Sequence, residues 1–211
     1  MKIYRLVFSP IEVNTYVLED ESGDCAIIDC GCYDDSEFSR LVNLIESKKL
    51  NPVLLLNTHC HLDHVFGNVR LFEKYGLISG YCELEEPNRK NAPKHAMFFG
   101  LSMEEPPASE KYISHGDEIC FGKVKLQALH VPGHTAGSLA FYSRDDGCVF
   151  TGDALFSGSI GRTDLPGGDF QTLINSIKDN LLTLPPETII YSGHGQETTI
   201  EKEARLNPYL S

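Results

Sequence analysis

The segment from residue 57 to 67, NTHCHLDHVFG, puts four side chains that bind transition metals within six positions: His59, His61, Asp63 and His64. In an extended chain, residues two apart face the same way, so His59 and His61 address one ion. A turn into a following helix aims Asp63 and His64 at a neighbouring point. Six residues wrap four ligands around one tetrahedral ion only with strain, but they serve two adjacent ions readily. Three more donors follow apolar runs and adjoin glycine, which lets backbone and ion approach closely: His134 in LHVPGHTAGS, Asp153 in CVFTGDALF and His194 in IIYSGHG. Five imidazoles and two carboxylates suit Zn(II), Fe(II) or Mn(II), with no cysteine required. A lone histidine at a strand end is more often hydrogen-bonded than metallated, and Asp153 alone reads equally as a turn residue. The crowding at 59 to 64 favours metal, because such groups left uncompensated resist burial. His95, His115 and His130 fall outside the pattern and read as surface or core residues. Cys60 should point away from its histidine neighbours and pack.

The elements that must carry these residues follow from periodicity. KIYRLVF (2 to 8), VNTYVLE (13 to 19) and CAIID (25 to 29) read as strands. A helix is expected at about 36 to 49, where Phe38, Leu41, Val42 and Ile45 share a face and Asp35 or Ser36 caps it. A buried strand at 53 to 57 then delivers the histidine cluster, and a helix at about 64 to 75 ends at Gly76. Residues 77 to 81 read as a strand. The prolines at 87, 93, 106 and 107 predict short helices and a surface loop over 82 to 110, a segment placed to form a lid or substrate wall. EICF, KVKLQALHV, SLAFYS and CVFTG are further strands; a helix spans about 169 to 184, and Thr188 to Tyr191 is the last strand. CAIIDCG resembles CVFTGDA, and LLLNTHCH resembles TIIYSGHG, a weak internal repeat. The fold class expected is α+β: one domain over 1–211 with related halves at about 1–110 and 111–211, packed sheet to sheet with helices outside.

Composition narrows the partners. The chain has 211 residues, 41% hydrophobic and 23% charged, a normal globular balance. The net charge of −12 argues against nucleic acid and against an anionic membrane surface, and it disfavours a strongly anionic substrate without local cations. No run approaches the ~20 apolar residues of a membrane span. The start MKIYRLVFSP does not read as a signal peptide, so a cytoplasmic protein is expected. Seven irregularly spaced cysteines point to reduced thiols rather than a disulfide framework, with Cys30 and Cys32 packing at a strand end.

T-H-C-H-L-D-H at 58 to 64, P-G-H-T-A-G-S at 132 to 138, T-G-D-A-L-F at 151 to 156 and S-G-H-G at 192 to 195 resemble the signature of the metallo-β-lactamase superfamily. The resemblance runs from residue 2 to residue 211 and implies a four-layer αββα sandwich. It assigns His59, His61 and His134 to a first metal, Asp63, His64 and His194 to a second, and Asp153 to both. G-R-T-D-L-P-G-G-D at 161 to 169 and L-N-P-Y-L at 206 to 210 are similar to the glyoxalase II-like hydrolases in their short form. That likeness implies hydrolysis of a small thioester such as an S-acylglutathione by a hydroxide bridging two divalent ions, zinc first and iron or manganese next. Asp63 would orient the nucleophile or carry its proton. Arg162 is the cation to watch for substrate binding, or else an ion-pair partner of Asp164 or Asp169. Only 17 residues follow His194, so the helical domain that completes the glutathione grip in classical glyoxalase II is expected to be missing.

A rival within the same resemblance is a persulfide dioxygenase holding one Fe(II) on His59, His134 and Asp153. Such enzymes usually carry Ala-His-Asp-Tyr where this chain has Gly193-His194-Gly195, which argues against that reading. A tRNA-processing nuclease is disfavoured by the charge, and a β-lactamase by the expected lack of an export signal. A non-enzymatic binding protein on the same fold would be supported by a lost ligand, yet all seven positions are filled.

Overall fold

The computed structural model describes residues 1–210. Strands β1 (Lys2–Phe8), β2 (Val13–Glu19), β3 (Asp24–Ile28), β4 (Asn51–Leu56) and β5 (Ser79–Gly80) form one sheet in that order. Its first three strands are antiparallel neighbours, while β3, β4 and β5 run parallel. The second sheet has the order β13-β12-β9-β8-β7-β6, built from β6 (Glu118–Phe121), β7 (Val124–His130), β8 (Leu139–Ser143), β9 (Cys148–Gly152), β12 (Ile189–Ser192) and β13 (Thr198–Thr199). Here β9 and β12 are the parallel pair. A small ribbon, β10 (Leu155–Phe156) with β11 (Ser159–Ile160), follows β9.

Period-two patterning sorts the side chains into layers. Tyr16, Leu18, Ile28 and Leu56 face Leu126, Phe141 and Phe150 across the gap between the sheets. Tyr16 and Phe150 meet edge to face with ring centres 5.2 Å apart. The alternate residues Val17, Cys25, Ile27 and Leu55 pack outward against Leu41 and Ile45 of helix α1 (Asp35–Lys48). On the far side Ala140, Tyr142, Val149 and Ile190 meet Leu173, Ile174, Ile177 and Leu181. The result is the expected four-layer αββα sandwich. No helix among the described residues is long and apolar enough to cross a membrane.

Four local details differ from the sequence expectation. Asp29 lies beyond β3 with φ +55°, left-handed backbone that turns its carboxylate out of the ladder. The helix expected at 64 to 75 is broken into α2 (Leu62–Val65) and α3 (Asn68–Tyr75). At the break, any Cβ on Gly67 would stand 2.3 Å from the Cys30 sulfur. The helix expected at 169 to 184 is α-helical only over α5 (Phe170–Ser176) and widens to a π-turn at Ile177–Leu181; Phe170, its first residue, is exposed. Residues 82 to 110 hold one 13-residue helix, α4 (Glu86–Phe98), in place of short helices. Pro87 sits in its first turn, where no N–H is needed. Pro93 lies inside it, a placement that costs about 3 kcal/mol in an isolated helix. Buried Arg89 pairs with Glu86 in the same helix and ties α4 to the following loop through Glu105. α6 (Ile200–Leu206) completes the chain's helices.

Candidate metal centre

The seven donors named from the sequence meet at one edge of the sandwich. His59, His61, Asp63 and His64 follow β4, with His61 as extended N-cap of α2 and one helical turn delivering Asp63 and His64. His134 comes from the β7–β8 turn, Asp153 follows β9, and His194 follows β12. A bridge between Val13 and His194 stitches the two sheets together at this edge. Cys60 turns the other way, into a cluster with Leu62, Val65, Phe66 and Tyr81. At Gly193 a Cβ would stand 2.1 Å from Asp153 Oδ1 and 2.8 Å from His64 Cε1, so the end of β12 passes the donors only as bare backbone.

Two donor groups result. His59 Nε2, His61 Nδ1 and His134 Nε2 form a triangle with edges of 3.1, 3.2 and 2.9 Å. In the second group His194 Nε2 lies 3.2 Å from Asp63 Oδ2, and His64 Nε2 lies 3.6 Å from the same oxygen. Asp153 stands between the groups: its Oδ1 is 3.3 Å from His64 Nε2, and its Oδ2 is 3.5 Å from His194 Nε2 and 3.8 Å from His134 Nε2.

Whether these residues fit a metal is decided by their protons. The Nδ1–H of His134 donates to the Arg162 carbonyl at 2.8 Å, and that of His194 to the Glu12 carbonyl at 3.1 Å. The His64 Nδ1–H donates to Asp29 Oδ2 at 2.9 Å. The Thr58 hydroxyl donates to Asp29 Oδ2, which leaves it an acceptor for the His59 Nδ1–H at 3.1 Å. With those protons on Nδ1, the Nε2 lone pairs of His59 and His134 point at each other across 3.2 Å. Only a cation between them makes that favourable, and an ion about 2.0–2.1 Å from each nitrogen fits the triangle. In the second group His64 Nε2 and Asp153 Oδ1 are buried without a hydrogen-bond partner, orphaned atoms of the kind an ion satisfies.

The two groups differ in their electrostatics. Burial, then the neighbouring imidazoles, hold His59 well below the ordinary histidine range. Burial and His134 hold His61 down to about 3. Both are therefore neutral donors at pH 7. In the second group burial opposes charge on His64, but Asp153, Asp29 and Asp63 together outweigh it and raise its pKa. Burial likewise opposes ionisation of Asp63 and Asp153, and the surrounding histidines more than compensate.

A sequence model of the metallo-beta-lactamase superfamily matches residues 9–194. The chain belongs to the metallo-beta-lactamase superfamily. Within it, the chain is similar to the hydroxyacylglutathione hydrolase GloC of Haemophilus influenzae, 38% identical over 100% of this chain and 99% of that one. Among solved structures it is similar to TTHA1623 in a di-iron-bound form, with TM-score 0.88, 39% identity and 98% and 100% of the two chains covered. It is also similar to the BLEG-1 B3 metallo-beta-lactamase, with TM-score 0.90, 30% identity and both chains covered fully.

Three groups at this superfamily centre escaped the sequence reading. Asp29 is one; its place after CAII mirrors Asp153 after CVFTG, a signal present in the internal repeat. Glu85 is the second. It is fully buried, and its two oxygens accept from the backbone N–H groups of Cys60 and Gly137 at 2.8 and 2.9 Å, and from the Asn88 amide. One carboxylate thus braces the His59–His61 and His134 loops against the foot of α4, a long-range contact without a local signature. The third is His95, expected at the surface or in the core, which lines the pocket over the donors. That pocket is about 640 Å³. Arg162 lines it too, with its guanidinium forked onto Asp164 by two 2.8 Å hydrogen bonds. Asp169 instead caps α5 through the Thr172 N–H.

Proposed function

We propose that this chain is a two-metal thioester hydrolase of the hydroxyacylglutathione type. The observation that carries the reading is the sharing of Asp153 between two donor groups, in a chain alike from end to end to the Haemophilus hydrolase. His59, His61 and His134 would hold one ion, Asp63, His64 and His194 the other, and Asp153 both. Zn(II) suits the imidazole-rich first group, and Fe(II) is its rival given the di-iron form of TTHA1623. The domain is read as one unit over 1–211, with halves at about 1–110 and 111–211 that each contribute ligands.

Bound divalent ions supply Lewis acidity and lower the pKa of water toward neutrality. The chain supplies position and proton handling. Asp63, whose Oδ2 meets His194 Nε2 at 3.2 Å, is placed to accept the proton of the attacking water. The Nδ1–H bonds of His59, His64, His134 and His194 fix each ring in the tautomer that presents Nε2. A thiolate departs without prior protonation, so no dedicated acid is required.

The test is metal content per chain with a substrate panel of S-lactoylglutathione, a glutathione persulfide monitored by oxygen uptake, and a β-lactam. Two metals per chain and thioester turnover support the reading. One iron with oxygen uptake, or β-lactam turnover alone, overturns it. Asp153→Ala should lower metal content below two and abolish turnover; survival of both removes Asp153 from its shared role.

A further inference from the structure

The walls of the pocket beyond the metal donors differ in chemistry from its floor. Phe98 and Phe99 at the end of α4 line it, with Ile11 from the β1–β2 turn and Leu165 and Pro166 from the segment after β11. Phe98 is 86% exposed, Phe99 65% and Ile11 37%. Large apolar side chains gathered at the mouth of a site, each left in water, mark a surface that a ligand covers. Arg162 is the one Lys or Arg side chain lining the pocket among the described residues, and Asp164 occupies it. A charged thiol carrier would have to displace Asp164 from this exposed pair to reach Arg162, and the net charge of −12 adds no attraction.

From this we infer that the site takes thioesters carrying an apolar arm, an alkyl or aryl group that lies against Phe98 and Phe99, and that these two residues determine specificity. The inference rests on the thioesterase reading for the reaction, but not for the binding. An apolar arm gains from burial against the aromatic wall, whereas a small hydroxyacyl group leaves that wall wet. Glu85 holds the foot of α4, the helix that carries Phe98 at its far end, to the histidine loops. The arm can belong to the acyl half or the thiol half; the chemistry at Phe98 and Phe99 is the same.

Calorimetry on the metal-loaded protein tests this with two thioethers that cannot be hydrolysed, S-hexylglutathione and S-methylglutathione. The hexyl ligand should bind at least tenfold more tightly. The double variant Phe98→Ala/Phe99→Ala, which touches exposed side chains only, should erase that advantage and leave methyl binding within about twofold. Equal binding of the two ligands by the wild type, or an advantage that survives in the double variant, overturns the assignment. Turnover of S-hexanoylglutathione against S-hexyl thioacetate then tells which half carries the arm. If the wild type prefers the hexyl ligand yet hydrolyses neither thioester, the hydrolase reading fails and the apolar subsite stands.

Discussion

Asp29 Oδ2 lies 2.9 Å from His64 Nδ1 and 2.7 Å from the Thr58 hydroxyl, which in turn receives the Nδ1–H of His59. One carboxylate outside the donor pool therefore sets the tautomer of a histidine in each donor group. Its left-handed backbone is the local cost of that reach. Asp29→Asn puts an amide where two protons now converge. His64 then flips tautomer or loses its partner, and metal affinity should fall roughly 10- to 100-fold, read by competition with a chelator. Unchanged affinity would mean that the rings hold their orientation by packing alone.

Thr58→Val separates the two branches of this network. It removes the acceptor for His59 but leaves the direct bond from His64 to Asp29. The first ion should weaken more than the second, visible as a split of one chelation phase into two.

Gly193→Ala inserts a methyl group 2.1 Å from Asp153 Oδ1. The carboxylate must move, since both neighbours are fixed backbone or a buried ring. Metal content should drop while the far-ultraviolet dichroism is kept. A variant that binds the full metal complement shows that β12 yields instead.

Glu85→Gln replaces one acceptor oxygen with an NH2 group facing either the Gly137 N–H or the Cys60 N–H and the Asn88 amide. A buried N–H left unpaired costs about 1–3 kcal/mol. Thermal unfolding should report a loss of that size, and the loop carrying His134 should become more open to hydrogen exchange at Gly137. No change in either would show that the brace is redundant.

Glu86 gives a pH prediction. Its hydrogen bond to Arg89 leads the causes that pull its carboxyl down to about 2 from an ordinary value of 4.5. The folded state holds the proton less tightly than the unfolded one, so the pair stabilises above about pH 4.5, and that share is lost as pH falls toward 2. The stability difference between wild type and Glu86→Gln should shrink across that window in chemical denaturation. A constant difference would assign the effect to packing.

The parts of the site that were legible in the sequence are those with local chemistry. The His59–His64 spacing and the glycines beside His134, Asp153 and His194 announce donors at strand ends, and the runs KIYRLVF and VNTYVLE, rich in β-branched and aromatic residues, match β1 and β2 to the residue. What stayed hidden depends on distant partners. Helix α4 carries an internal proline, and its Arg89 is tied to Glu105 of a loop that no window on residues 86 to 98 contains. The Gly67 break depends on Cys30, 37 positions away in sequence, and Glu85 acquires its purpose only when two loops arrive above it. Arg162 was ambiguous because its backbone and side chain do different things: the carbonyl orients His134 while the guanidinium pairs with Asp164.

Four of the five imidazoles are held at both ends, one nitrogen toward the donors and the other on Thr58, Asp29 or a backbone carbonyl. His61 is anchored at Nδ1 alone among the described residues, and its ring is the least enclosed of the first triangle. For an ion held as proposed, residence time and affinity would be governed by different parts of the fold: the doubly held rings of His59 and His134 would set how tightly it is bound, and the less enclosed His61 at the start of α2 would set how fast it is exchanged.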